Sequence, residues 1–233
     1  MTNLAALLTT LGLTFNDSSL LEQSLVHPSY LNENPGQTES NERMEFLGDA
    51  LIGFVIADEL YRRFPERHEG ELTKLRSAVV CGKTLSGIAD LLHLGQYLYL
   101  GRGEEQGGGR NRERNLACVF EALIGAVLLD SGYDAARNLV VKLLKGAIEQ
   151  VVDQLDIIDY KSRLQEVVQA RQQHAPVYRV IEMIGPDHAR EFRVQVTAAG
   201  IAIGVGSGKS KQQAEKDAAR VALEALSKGG GAV

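Results

Sequence analysis

Three acidic residues within one short segment carry the strongest chemical signal in the chain. Glu42, Glu45 and Asp49 stand at i, i+3 and i+7, which on a helix puts all three on one stripe. Like charges at that spacing repel and weaken the helix unless a cation offsets them. A further carboxylate, Glu121, is the only charge in the 14-residue apolar run from Leu116 to Leu129. A lone ionised carboxylate in such surroundings is costly unless it is paired or bound to a metal. Two readings follow. One is a solvated acidic stripe, with Glu121 paired to Arg43 or Arg76. The other is a metal site in which Glu121 meets Glu45 and Asp49 around a divalent ion. Oxygen donors, with no His or Cys pair at ligand spacing, favour Mg²⁺ over zinc. Carboxylate-held Mg²⁺ suits phosphoryl transfer, where it activates water and stabilises the leaving oxygen.

Helices must position these groups. Leu20, Leu21, Ser24 and Leu25 share one helical face ahead of His27-Pro28, and Asn32–Asn41 reads as a loop. A long helix is predicted from about Asn41 to Phe64, capped by Ser40 or Asn41 and ended by Pro65. It is apolar almost all round between Ala50 and Ala57, which predicts burial. Leu72–Val80 and Leu85–Leu92 follow as helices, Gly101–Gly109 as a Gly-rich loop, Leu116–Leu129 as a core helix and Ala135–Val152 as an amphipathic one. After a polar stretch near 153–159 the period changes. Ser162–Gln172 is helical, and Tyr178/Val180/Ile184, Phe192/Val194/Val196 and Ile201/Ile203/Val205 alternate as strands. Gly185-Pro186-Asp187 and Ala199-Gly200 supply the turns. Ser210, with Gln213 as its capping-box partner, opens a last helix with Ala214, Ala218, Val221, Ala222 and Ala225 on its buried face.

The segment Asn41-Glu-Arg-Met-Glu-Phe-Leu-Gly-Asp49 closely resembles the signature of the ribonuclease III family. Glu69-Gly-Glu-Leu-Thr-Lys-Leu-Arg76 and Glu121-Ala-Leu-Ile-Gly125 follow in that family's order. The α-β-β-β-α tail resembles a double-stranded RNA-binding domain. The resemblance implies a multi-domain chain: an all-α endonuclease domain over 1–152, a linker at 153–158, a small α+β RNA-binding domain over 159–228 and a tail at 229–233. It implies a homodimer that cuts double-stranded RNA with Mg²⁺, for which Mn²⁺ can substitute. The products would carry 5′-phosphate and 3′-hydroxyl ends with two-nucleotide 3′ overhangs. Processing of ribosomal and other RNA precursors is the implied role. Asp49 and Glu121 map onto catalytic positions, Glu45, Asp49 and Glu121 onto metal ligands, and Glu42 and Glu69 onto supporting acidic positions. In the tail, Ser162, Gln165, Glu166 and Gln169 map onto a helix that reaches one minor groove, and His188 onto the loop that enters the next. Lys209, Ser210 and Lys211 map onto the helix start that meets the phosphates between them. Such a module reads A-form shape over about 16 bp.

Two positions depart from the family pattern. Cys118 stands where Asp is usual. A thiol is a poor ligand for hard Mg²⁺, so the metal site is expected to be one carboxylate short. Gln212 replaces a basic residue that often follows Lys211. Two motifs fail: Gly204–Ser210 has Ile203 where a P-loop needs Gly, and Gly101-Arg-Gly103 has Gln106 at the third Gly of a dinucleotide fingerprint. Arg110, Arg112 and Arg114 flank the Gly-rich loop, either solvated or touching RNA.

The chain has 233 residues and a net charge of −5, which on its face disfavours nucleic acid. The charge is unevenly placed. Residues 1–155 hold 14 Lys+Arg against 21 Asp+Glu, a net of −7; residues 156–233 hold 11 against 9, a net of +2. Two cysteines support no disulfide framework, and the first basic residue is Arg43, so a reducing, cytoplasmic setting without a secretory leader is expected. No membrane association and no nucleotide cofactor are expected. The rival readings are a non-cutting RNA-binding protein that uses its helical domain to dimerise, supported by Cys118, and a P-loop nucleotide hydrolase.

Overall fold

A computed structural model describes residues 4–172, 175–186 and 190–228. The chain divides into two compact units, Met1–Glu149 and Gln150–Val233.

The first unit is helical: α1 (Leu4–Leu11), α2 (Ser18–Ser24), α3 (Pro28–Leu31), α4 (Glu42–Arg63), α5 (Glu69–Val79), α6 (Gly82–Leu91), α7 (Arg102–Gln106) and the first part of α8 (Glu113–Gln172). Gly132 breaks α8 with φ 82° and ψ −179°, a conformation open mainly to glycine. The core includes Ile52, Val55, Ile56 and Leu60 of α4 and Phe120, Leu123 and Ile124 of α8, all buried, and Met44 of α4 packs with Ala122 and Ala126 of α8. The α8 stretch is long and apolar enough by composition to cross a bilayer, and 56% of that apolar window is buried inside the protein, as in a core helix. Contrary to the expected burial all round, α4 keeps a second apolar stripe exposed: Phe46, Phe54 and Tyr61, with Leu129 and Tyr133 of α8 alongside.

Two glycines let α4 and α8 touch backbone to backbone. A Cβ on Gly48 would fall on the Glu121 carbonyl, and a Cβ on Gly125 would fall on that of Met44. The start of α4 is tied down from outside the helix. Asn41 is its N-cap residue yet makes no side-chain cap; its buried amide donates to the Ser24 carbonyl at 3.3 Å. Ser40 instead accepts from the Glu42 N–H. The Gly101–Gly109 segment, expected as loop, contains α7, and a short helix follows Pro28 where loop was expected.

The second unit contains the remainder of α8, a three-stranded antiparallel sheet in the order β1 (Val177–Ile184), β2 (Glu191–Ala198), β3 (Ile201–Gly208), and α9 (Lys211–Lys228). The backbone stays helical through 153–158, the expected linker, because no Gly or Pro interrupts residues 147–172. Leu164 and Val168 pack with Val194, Val196 and Ala198 of the sheet and with Ala214, Ala218, Ala219 and Ala222 of α9. Val221 is only half-buried and Ala225 is exposed, which turns the buried face of α9 slightly from the one predicted. A bulge between Val180 and Glu182 breaks the alternation of β1, leaving Val180 and Ile184 exposed. The β2–β3 turn has φ of 48° at Ala199 and 80° at Gly200, the sense that matches strand twist in a tight hairpin.

Candidate active site and nucleic-acid interface

The helix crossing brings the predicted carboxylates together. Glu42, Glu45 and Asp49 extend from the first turns of α4; Cys118 and Glu121 stand one turn apart on α8. One ligand atom each of Glu45, Cys118 and Glu121 lies within 4.8 Å of the others. They open onto a cleft of about 670 Å³ that Glu42 and Asp49 also line. Asp49 and Glu42 are more exposed than Glu45, and Glu42 accepts a hydrogen bond from the Ser40 hydroxyl at 2.8 Å. The Cys118 thiol donates to Glu45 Oε1 at 3.1 Å. That contact was not visible in the sequence, which showed only that positions 118 and 121 share a face.

The electrostatics call for a cation. Glu121 is pushed up to about 7, first by burial and then by the charges of Asp49 and Glu45. Burial, the hydrogen bond to Glu45 and the neighbouring carboxylates push the Cys118 thiol up to about 12. A carboxyl raised in this way by burial and neighbouring charges is relieved by a divalent ion. The donor set fits one: Glu45 and Glu121 offer converging oxygens, with Asp49 at the cleft wall. The two arginines considered as partners for Glu121 lie elsewhere. Arg76 lines a separate groove and Arg43 another.

Glu69 is not brought to this cleft within one chain. It opens α5, accepts from Thr73 Oγ1 at 3.0 Å, and lines the groove that holds Arg67 and Arg76. Order along the sequence placed it in the family pattern but carried no distance.

The Gly-rich segment is latched rather than loose. Glu104 accepts from Arg112 and, at 2.7 Å, from the buried Asn115 amide; the Asn115 bond is the main cause holding its carboxyl below the usual range. Arg110 pairs with Glu105 and donates to the carbonyls of Gly95 and Leu98 at 3.0 and 2.9 Å. Arg112 and Arg114 line the carboxylate cleft. The alternation of Glu104-Glu105 with Arg110 and Arg112 was the available signal for this network. Because α7 occupies 102–106, the Gly101 motif is no dinucleotide loop.

In the second unit, Ser162, Gln165, Glu166 and Gln169 form one exposed face of α8, opposite the buried Leu164 and Val168. Lys209, Ser210 and Lys211 are exposed at the start of α9. Ser210 Oγ accepts the Gln213 N–H at 3.2 Å, one half of the predicted capping box. Lys161 joins this face to α9 through Glu215 at 2.8 Å and lies 4.6 Å from the centre of the Tyr178 ring. His188 lies outside the described residues. The segment after β3 leaves an antiparallel sheet, not the parallel strand–helix unit a P-loop needs.

Residues 17–147 match the family described as Ribonuclease-III-like, and residues 160–226 match the double-stranded RNA binding motif. The chain is 47% identical over 225 residues to the Ribonuclease 3 of Dehalococcoides mccartyi strain CBDB1, covering 96% of this chain and 95% of the relative. It is 46% identical over 222 residues to that of Roseiflexus sp. strain RS-1, covering 94% of each. Among solved structures, the nuclease domain of ribonuclease III from Campylobacter jejuni superposes with a TM-score of 0.58 at 35% identity. That match covers 62% of this chain and 97% of the other; the reported subject of that structure is flexibility in a region involved in dimer formation.

Proposed function

Because the chain belongs to the ribonuclease III family, as an endoribonuclease with a double-stranded RNA-binding domain, we propose that it hydrolyses duplex RNA with Mg²⁺ at the Glu45–Asp49–Glu121 cleft. The observation that carries this is the convergence of Glu45, Cys118 and Glu121 within 4.8 Å, at a cleft whose rim bears Arg112 and Arg114. When bound, Mg²⁺, or Mn²⁺ in its place, supplies an acidified water and offsets charge on the scissile phosphate and the departing 3′-oxygen. Glu45, Asp49 and Glu121 would hold the ion, Asp49 from further out on the cleft wall, and Asp49 and Glu121 would set the geometry of attack on phosphorus. The Cys118 thiol fixes the Glu45 carboxylate through its hydrogen bond. Arg112 and Arg114 attract phosphate to the rim, and the latch of Glu104 and Asn115 keeps Arg112 in place.

The products in this reading carry 5′-phosphate and 3′-hydroxyl ends. Two active sites in a homodimer, one per strand, leave two-nucleotide 3′ overhangs. The exposed stripe of Phe46, Phe54 and Tyr61 supplies the apolar surface such a dimer would bury. Ser162, Gln165, Glu166, Gln169, His188, Lys209, Ser210 and Lys211 meet the duplex. Glu42 assists at the cleft, and Glu69, on another groove of the same chain, assists from the second copy in the dimer. Ribosomal and other RNA precursors in the cytoplasm are the proposed substrates. Duplex RNA incubated with Mg²⁺ and either wild type or Glu121→Gln tests the reading. Wild type should cut and Glu121→Gln should bind without cutting. Binding without cutting by the wild type would overturn it.

A further inference from the structure

This inference rests on the proposed metal-dependent cleavage and concerns which ions the same residues accept. We propose that Glu45, Cys118 and Glu121 form a mixed sulfur–oxygen site that takes a thiophilic divalent ion of the zinc class in competition with Mg²⁺.

The geometry and the donor chemistry both point there. Cys118 Sγ already stands 3.1 Å from Glu45 Oε1, and the Glu121 oxygen lies within 4.8 Å of both. A tetrahedral ion with bonds of ~2.3 Å to sulfur and ~2.1 Å to oxygen spaces its ligand atoms by about 3.4–3.6 Å. Side-chain rotations that move these atoms by about 1 Å therefore complete three corners, and the cleft leaves the fourth open to solvent. Mg²⁺ gains nothing from sulfur, whereas zinc-class ions bind thiolate strongly and already exceed Mn²⁺ in affinity at mixed sites. On binding, the metal–sulfur bond forms as the S–H bond breaks, the proton passes to solvent, and no electrons change hands. The ion then occupies Glu45 and Glu121, two of the carboxylates proposed to hold Mg²⁺, so zinc suppresses Mg²⁺-supported cleavage. The other cysteine, Cys81, sits at the start of α6, hydrogen-bonded to Ala78 and Thr84, away from this cleft.

Cadmium chloride titrated into the full-length protein is the test, read by the thiolate-to-cadmium absorbance in the ultraviolet. A saturating band is expected that persists in Cys81→Ser and disappears in Cys118→Ser, with at least about a tenfold loss of cadmium affinity. Zinc should inhibit Mg²⁺-supported cleavage by wild type at least about tenfold more potently than by Cys118→Asp. Should Cys118→Ser fail to fold, the same point is read on wild type by whether cadmium protects Cys118 from alkylation, located by mass spectrometry. No band, a band that survives Cys118→Ser, or unprotected Cys118 overturns the proposal. A band in a protein that does not cut duplex RNA upholds this site and overturns the cleavage reading; cutting without a band does the reverse.

Discussion

Replacing Gly48 with alanine tests whether the backbone contact between α4 and α8 builds the carboxylate cluster. A Cβ at position 48 would lie 2.7 Å from the Glu121 carbonyl carbon and 3.1 Å from the Gly125 nitrogen. Non-bonded carbons sit about 3.5–4.0 Å apart, so the helices must part by roughly 1 Å. Both obstacles are backbone atoms, and no side chain can swing aside. Alanine gains up to ~1 kcal/mol of helix propensity over glycine, while overpacking costs about 1–3 kcal/mol. The net destabilisation therefore lies between zero and about 2 kcal/mol, a fall in Tm of up to about 8 °C for a chain of this size. Activity is the sharper readout. The displaced atoms belong to Glu121 itself, and a misplacement of about 1 Å can cost about 100-fold in rate. Single-turnover cleavage of a labelled duplex at saturating Mg²⁺, alongside thermal melts, measures both. Gly146→Ala serves as control: it is an exposed glycine in α8 whose Cβ meets open space, so it should leave cleavage unchanged and stabilise by up to ~1 kcal/mol. Cleavage by Gly48→Ala within about twofold of wild type, against the ~100-fold loss expected, would refute the claim that this crossing sets the site.

Other expectations address charge and metal. Burial and the charges of Asp49 and Glu45 push Glu121 up from its ordinary 4.5 to about 7, so the folded state holds the proton more tightly. With metal chelated, stability should fall as pH rises from about 5 to about 8. Glu121→Gln should flatten that slope and added Mg²⁺ should counter it; a wild-type Tm that rises over this range contradicts the assignment. Cys118→Asp replaces a neutral thiol with a hard oxygen donor, so the Mg²⁺ concentration for half-maximal cleavage should drop; superimposable titrations would show that position 118 is indifferent to Mg²⁺. Lys209→Ala and Lys211→Ala should each weaken duplex binding whatever the sequence and reduce the salt slope by about one. An unchanged slope would remove that lysine from the phosphate contacts.

What was legible in the sequence was what periodicity and isolation reveal. Glu45 and Asp49 on one stripe, and Glu121 alone in an apolar run, made a site shared by α4 and α8 one of two readings, because a buried charge needs a partner wherever it lies. The tail was legible because its period switches from helix to alternating strands and back. The rest depended on distances between segments far apart in sequence. Glu69 has the family's spacing yet lines another groove, since position along a chain says nothing about the turn at Pro65. The latch of Glu104, Arg112 and Asn115 is made by side chains whose spacing fits no single element, and the polar 153–158 segment concealed a helix because polarity alone does not end one.

The placement of charge offers an acidic nuclease unit a way to accept a polyanion. Net charge predicts repulsion, yet the carboxylates are concentrated where a divalent ion can offset them, and Arg112 and Arg114 stand on the same cleft. An approaching phosphate meets those guanidinium groups beside a neutralised cluster, not the average field of the unit. The thiol at position 118 fits the same logic. Where aspartate would add another negative charge to a site whose Glu121 is already raised to about 7, a neutral donor to Glu45 lowers the repulsion at the cost of one hard ligand. The substitution therefore exchanges Mg²⁺ affinity for a cluster that is less self-repelling before the ion arrives. In the proposed reading its consequences belong in the metal dependence of cleavage and not in duplex binding, which that reading assigns to Lys209 and Lys211.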